Sequence, residues 1–244
     1  MSRILITSGP TRQYLDPVRY LTNASSGRMG KALAEAVIER GHEVVIVSGP
    51  VDVEYPAAAR VIDVVSTEEM LAAARQVFDE CDGLIGVAAP CDYRPVKVET
   101  EKGIETENET ENGIGLISPD DRESFGKLDL SRFPLPNKIA KTGRPLVVHL
   151  IETDDIVATL GRAKGDRWAV GFALETEDRR LRALAKLEKK SCDLMVLNGP
   201  EAMHSPNNHV EVIDPTGSVL RTISGTKEHV AREIFRVIQE RLID

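Results

Sequence analysis

Short apolar runs alternate with amphipathic stretches along most of this 244-residue chain, and the alternation predicts strand–helix–strand units. Ile4–Thr7 is a short β-rich run, residues 8–28 read as a long loop, and Met29–Arg40 has helical spacing closed by Gly41. Val44–Ser48 is apolar nearly throughout, as expected for a strand covered on both faces of a parallel sheet. Arg60–Val65 predicts a further strand, and Ser66 with Glu69 makes a capping-box pattern at the head of a helix over Thr67–Cys81. Gly83–Ala88 predicts a fourth strand, which ends in Ala89-Pro-Cys-Asp-Tyr-Arg-Pro95.

The pattern breaks over residues 96–136, where Glu99–Asn112 is rich in Glu, Thr and Asn and predicts a flexible hairpin or a disordered excursion, with Phe125 and Phe133 as docking points. Regular spacing resumes with a strand at Leu146–Leu150 and a helix over Asp154–Arg162 with Thr153 as its cap. A strand at Ala169–Ala173, a charged helix at Arg179–Lys190 and a strand at Leu194–Leu197 follow. Val210–Ile213 and Val219–Ile223 flank Asp214-Pro-Thr-Gly217 as a hairpin, and Lys227–Leu242 is an amphipathic helix with Val230, Ile234, Val237, Ile238 and Leu242 on one face. This order predicts an α/β fold: a Rossmann-like, doubly wound, mostly parallel sheet with an inserted flap and a C-terminal β-hairpin. Residues 1–244 read as a single domain with a flexible insertion at about 97–136.

Composition narrows the function classes. Hydrophobic residues make up 41% and charged residues 29%, which fits an ordinary globular protein, and the formal charge of −8 argues against a nucleic-acid surface. Cys81, Cys91 and Cys192 are widely spaced and odd in number, which predicts reduced, mostly buried thiols in a cytoplasmic protein. No apolar run reaches the ~18–20 residues of a membrane span, and the N-terminus enters a strand directly, without a signal peptide.

The stretch Asn23-Ala-Ser-Ser-Gly-Arg-Met-Gly30 opens straight into the first helix. Small residues at a helix N-terminus leave backbone N–H groups unpaired at the positive end of the helix dipole, a setting for phosphate. With the Gly9-Pro10-Thr11 turn, it supplies Gly9, Thr11, Asn23, Ser25, Ser26, Gly27, Met29 and Gly30 as candidate anion-binding residues. Neither G-x-G-x-x-G nor G-x-x-x-x-G-K-[ST] occurs there, and packing alone is the competing explanation for the small residues. Asp92, at the end of the fourth strand, suits a ribose hydroxyl, a base amine or a metal, or else an Asp–Arg pair that orders its loop. Lys138 and Lys141 flank Ile139-Ala140 beside the long excursion, as a flap that closes over phosphates or as solvated lysines. Lys186, Lys189 and Lys190 lie on the helix that leads to Asn198. The five His form no H-x-x-x-H pattern, so no zinc site is expected, and beyond Asp92 as a candidate the metal ligands stay unknown.

In order along the chain, ILITSGPTRQYLDPVRYLTNASSGRMGKALAEA, VSGP, AAPCDYRP, KIAKTGRPLVVHLIETDDIVATL, GFALET and KLEKKSCDLMVLN resemble the phosphopantothenoylcysteine synthetase family. The resemblance implies a two-step ligation in coenzyme A biosynthesis. The carboxylate of 4′-phosphopantothenate attacks the α-phosphate of a nucleoside triphosphate, CTP or ATP, with Mg2+; cysteine's amine then displaces the nucleotide to form the amide. It also implies a homodimer, and a stand-alone synthetase without flavin. Matched by position, Asn23 would hold the acyl-nucleotidyl intermediate and Lys138 would contact the nucleotide in the first step, both as catalytic residues. Ala88, Ala89 and Asp92 match a segment near the nucleotide, Phe172 an aromatic beside the base, and Lys186, Lys190 and Asn198 the helix and asparagine that follow. The flap departs from the family's K-I-K-K at Ala140, Pro90 stands where an aliphatic residue is common, and Met203–Asn208 lacks the aromatic and acid of F-x-S-D-x-N. Three rivals stand beside this reading: a related ligase with another acid–amine pair, since the acid pocket and flap are the altered parts; a non-catalytic nucleotide-binding or regulatory protein; and a nicotinamide-dependent reductase, disfavoured by the missing G-x-G-x-x-G.

Overall fold

A computed structural model describes residues 1–100, 134–141, 143, 145–174, 178–199 and 207–243. The expected flexibility of Glu99–Asn112 and the docking of Phe125 and Phe133 therefore fall wholly or almost wholly outside the described residues. So do the end of GFALET and most of Met203–Asn208.

In chain order the elements are β1 (Arg3–Ser8), β2 (Arg12–Asp16), β3 (Arg19–Thr22), α1 (Arg28–Glu39), β4 (Glu43–Ser48), β5 (Arg60–Asp63), α2 (Thr67–Phe78), β6 (Gly83–Gly86) and β7 (Tyr93–Thr100). They continue with β8 (Leu146–Glu152), α3 (Ile156–Arg162), β9 (Trp168–Leu174), α4 (Arg179–Lys189), β10 (Leu194–Asn198), β11 (Asn207–Ile213), β12 (Val219–Thr226) and α5 (Lys227–Ile238). Two compact units emerge: Met1–Arg12, Thr22–Asp92 and Thr153–Asp244 form the first, and Gln13–Leu21 with Tyr93–Glu152 the second.

The first unit holds an eight-stranded sheet in the order β12-β11-β10-β9-β6-β1-β4-β5. All pairings from β10 to β5 are parallel, and β11 and β12 add an antiparallel hairpin at one edge. The sheet is thus the expected mostly parallel, Rossmann-like one, with the C-terminal hairpin in place. Its two halves run outward from β1 and β6, so the chain order reverses between them. Such a switch point leaves a crevice outside the carboxyl ends of the strands.

Side chains alternate across the sheet. Ile4 and Ile6 face a core closed by Leu33 and Val37 of α1 and by Ile234 and Phe235 of α5. Leu5, Val47 and Leu84 face the opposite core, against Met70 of α2, Leu160 of α3 and Leu187 of α4. Ser66 and Glu69 form the expected capping box on α2. At the C-terminus, Val230, Ile234, Val237 and Ile238 are buried as expected, but the α-helix gives way to a π-helical turn over Gln239–Ile243.

Three local expectations are corrected. The long loop of residues 8–28 contains the β2–β3 hairpin. Asp16 closes its turn by accepting from the N–H groups of Val18 and Arg19, each at 2.9 Å, a side-chain device that hydrophobic spacing does not reveal. Tyr93–Thr100, where the sequence predicts no strand of its own, form β7, paired antiparallel with β8 in a separate two-stranded sheet of the second unit. Pro95 is accommodated because the register shifts between Pro95 and Lys97. Finally, Asp155, not Thr153, caps α3: its carboxylate accepts from Ala158 N–H at 2.9 Å.

Candidate functional site at the carboxyl edge of the sheet

The turns that leave β1 and β6 meet at the switch point. Ala89 N–H donates to Gly9 O at 2.9 Å, and Pro10 bridges Ala89. Gly9 takes a left-handed φ of +74°, which glycine alone adopts without strain. Behind this contact lies a buried set of hydroxyls. Thr11 Oγ1 accepts from Cys91 N–H at 2.7 Å and is hydrogen-bonded to Thr67 Oγ1 at 2.7 Å. Thr67 in turn donates to Cys91 O at 3.1 Å, which leaves Thr11 as the donor between the two hydroxyls. Thr153 Oγ1 donates to the same carbonyl at 2.8 Å, and Thr153 N–H donates to Asp92 O at 2.8 Å. Both backbone groups of Cys91 are thereby fixed, and Asp92 follows at an exposed position.

Asn23 reaches this turn from the loop before α1. Its Nδ2 donates to Pro90 O at 2.8 Å and lies 3.4 Å from Asp92 Oδ2. Thr22 Oγ1 donates to Thr11 O at 2.8 Å and anchors the residue before it. Hydrogen bonds therefore bring together Gly9, Thr11, Asn23, Ala89 and Asp92, which lie far apart in sequence. Ala88 packs against one of the two cores beneath.

The α1 terminus is built for close approach. Gly27 is its N-cap at φ +72° and brings no side-chain cap bond to the first-turn N–H groups. A Cβ on Gly30 would stand 2.0 Å from Ser8 Oγ, so only glycine lets the helix press onto β1. Ser25 is half-buried and Ser26 exposed, whereas Met29 packs its side chain on the core and has only its backbone to offer a ligand. Ser8 and Ser48, at the ends of β1 and β4, each lie 2.8 Å from Tyr55 Oη.

The remaining candidates are more dispersed. Phe172 is half-buried near the end of β9, opposite Val196 of β10. Asn198 ends β10, and its buried Oδ1 has no hydrogen-bond partner among the described residues. Lys186 and Lys190 stand at the end of α4, where Lys190 Nζ is 3.1 Å from Asp155 Oδ2. Burial opposes the charge on Asp155, but Lys190 and the Ala158 N–H outweigh it and hold the carboxyl below its ordinary range. Lys190 is thus already an ion-pair partner. Lys138 and Lys141 belong to the second unit, where both are exposed.

The three cysteines are buried as free thiols, and burial raises Cys81 to about 11 and Cys192 to about 12, which makes both poor nucleophiles. Among the described residues no three His, Cys, Asp or Glu side chains cluster as a metal site, and no helix is long and apolar enough to cross a membrane. The sequence pattern did not point to Thr22, Thr67 or Thr153 as supports. Thr22 is exposed, Thr153 half-buried and Thr67 buried, and none carries a signal for this role until the chain is folded.

The strand order and the turns at its switch point define the class: a Rossmann-like α/β protein with its candidate site at the carboxyl edge of the sheet. The family is narrower. The model for DFP, the DNA/pantothenate metabolism flavoprotein C-terminal domain, matches residues 1–121 and 133–242, and the chain belongs to that family. It is 35% identical over 242 residues to a cysteine/cysteine sulfinic acid decarboxylase from an unknown prokaryotic organism, covering 97% of this chain and 57% of that protein. It is 33% identical over 241 residues to the coenzyme A biosynthesis bifunctional protein CoaBC of Vibrio vulnificus strain YJ016, covering 97% and 51%. The chain therefore spans about half the length of the curated relatives it matches. The crystal structure of a CoaBC C-terminal domain shares 32% identity at a TM-score of 0.71, covering 99% of this chain and 95% of that one. The resemblance read from the sequence segments is borne out at the level of family and fold.

Proposed function

We propose that the chain is a ligase that joins 4′-phosphopantothenate to L-cysteine through an acyl-nucleotidyl intermediate, giving 4′-phospho-N-pantothenoylcysteine for coenzyme A biosynthesis. One observation carries the reading. In a chain 32% identical to a CoaBC C-terminal domain, Asn23 is held against Pro90 and Asp92 at the switch point of the sheet.

In the first step the substrate carboxylate attacks the α-phosphorus, an O–P bond forms, and pyrophosphate leaves with the electron pair of the broken P–O bond. The uncapped N–H groups at the start of α1, together with Ser25 and Ser26, are suited to the anionic oxygens. Lys138 is assigned to the nucleotide in this step, with Lys141, Lys186 and Lys190 as further cations, Phe172 beside the base, and Asn198 as a polar contact. Mg2+ would come with the triphosphate and neutralise part of its charge, and Asp92 is the site carboxylate that would help to hold it. In the second step the amine of cysteine attacks the acyl carbon, loses a proton, and expels the nucleoside monophosphate. Asn23 steadies the mixed anhydride through its amide. CTP is favoured over ATP as cosubstrate, no flavin takes part, and the active form is a cytoplasmic homodimer.

The test is pyrophosphate release from phosphopantothenate and cysteine with CTP and with ATP in parallel. Pyrophosphate with neither nucleotide sinks the ligase reading. Carbon dioxide release from cysteine without nucleotide consumption favours instead the activity in the decarboxylase relative's name. Nucleotide-dependent pyrophosphate release with an acid or amine other than these two points to a related ligase.

A further inference from the structure

Asp16 is a fully buried carboxylate in the second unit, and four donors converge on it. Its Oδ1 accepts from the N–H groups of Val18 and Arg19, which closes the β2–β3 turn. Its Oδ2 accepts from Arg19 Nη1 at 2.6 Å and from Ile139 N–H at 3.0 Å. The same Nη1 donates to Ile139 O at 3.1 Å. One ion pair therefore grips both polar groups of a single residue, Ile139, which lies between Lys138 and Lys141. A second tie, from Leu135 N–H to Leu15 O at 3.0 Å, fixes the start of the same segment.

A turn alone does not require this arrangement. An asparagine would accept the same two turn N–H groups through its Oδ1. Only a carboxylate has a second acceptor oxygen, which here takes the guanidinium and the distant N–H together. Meanwhile Lys138 and Lys141 remain exposed, so the latch constrains the backbone that bears them without burying their side chains.

We propose that Asp16 and Arg19 are positioning residues that latch the flap at Ile139 and so present Lys138 and Lys141 to the nucleotide. The proposal rests on the ligase reading for what the lysines meet, though not for the latch itself. Pre-ordering the flap backbone lowers the entropy lost when the lysines engage phosphate, so the effect falls on nucleotide binding rather than on cysteine.

The experiment pairs hydrogen exchange with steady-state kinetics on Asp16→Asn. In the ligand-free protein, exchange of the peptide over residues 134–141 is expected to rise at least tenfold, while peptides of β1 and α1 keep wild-type protection. The KM for nucleotide is expected to rise about tenfold, with the KM for cysteine unchanged. Arg19→Lys serves if Asp16→Asn fails to fold: it keeps a cation for Asp16 but lacks the guanidinium whose Nη1 also reaches Ile139 O. It should show the same pattern, weakened to about threefold. Wild-type exchange at 134–141 in either folded variant overturns the latch, and equal rises in the KM for nucleotide and for cysteine overturn its nucleotide role. A wild-type protein that releases no pyrophosphate sinks the ligase reading, yet the exchange measurement needs no turnover and still decides whether Asp16 and Arg19 hold the flap.

Discussion

The Ala89–Asp92 turn is held by the neutral hydroxyls of Thr11, Thr67 and Thr153, whereas the Lys138–Lys141 segment is held by a buried carboxylate and a guanidinium. The difference follows from what each segment is proposed to face. A buried anion behind a turn that meets phosphates would repel them in a low-dielectric setting, while hydroxyls fix the backbone and add no net charge. A segment that carries lysines has no such restriction. Its root tolerates an ion pair whose charges cancel, and the pair supplies the multiple bonds that one hydroxyl cannot.

The largest test of this contrast falls on the residue that the neutral turn orients. Asn23→Ala is expected to lower the rate of amide formation by about 10²–10³-fold, the usual range for losing one oriented donor at a developing anion. Pyrophosphate release should continue, which quenched-flow detection of the activated intermediate would reveal; a block at the first step would assign Asn23 elsewhere.

Next in size is the hydroxyl set. Thr11→Val strips the acceptor from the buried Cys91 N–H and should cost about 1–3 kcal/mol in urea unfolding, while Thr11→Ser should recover most of it. If serine proves as damaging as valine, the methyl group and not the hydroxyl is what the site needs. A smaller loss, about 1 kcal/mol, is expected for Asp155→Ala, which removes the α3 cap and the partner of Lys190.

The ionic root adds a pH signature that the neutral turn lacks. Burial opposes the charge of Asp16, but the Ile139 and Val18 N–H groups and Arg19 outweigh it and hold the carboxyl below its ordinary 3.8. Its contribution is therefore complete above pH 3.8 and is lost as the pH falls through the lower folded value. The stability gap between wild type and Asp16→Asn should shrink as the pH drops below that point. A gap that stays constant to pH 2 would show that the charge is irrelevant. Smallest of all, Cys81 and Cys192 should resist alkylation in the native protein at pH 8, since burial raises both thiols well above it, to about 11 and about 12.

The same contrast explains what could be read from the sequence. Val44–Ser48 and Leu194–Leu197 are buried on both faces, so their apolar runs announced the parallel sheet, and Ser66 with Glu69 announced the head of α2. The β2–β3 hairpin left no such trace, because Arg12-Gln13-Tyr14-Leu15-Asp16 does not alternate cleanly and its turn depends on one carboxylate. Tyr93–Thr100 was hidden by Pro95, which is tolerated at an irregular point of a two-stranded sheet. The site was legible where glycine and asparagine form a recognisable stretch, at Gly9, Asn23, Gly27 and Gly30. Its supports were not, since Thr67 and Thr153 sit in a capping sequence and a strand exit and take their role only from what folds against them. Thr153 and Asp155 are equally good caps on paper, and the hydroxyl's pull toward Cys91 decides between them.

The bond from Ile139 to Asp16 spans 123 residues, and this separation has a kinetic consequence. Closing a free loop of that length costs about 4 kcal/mol of chain entropy. Most of the intervening residues, from Thr22 to Asp92, belong to the eight-stranded sheet and its helices. Once those have folded, the free chain left to close is much shorter, so the root of the flap is expected to order last. In a pulse-labelling refolding experiment, the Ile139 amide should gain protection after those of β1 and β4, and a nascent protein would carry an ordered sheet before it carried ordered flap lysines.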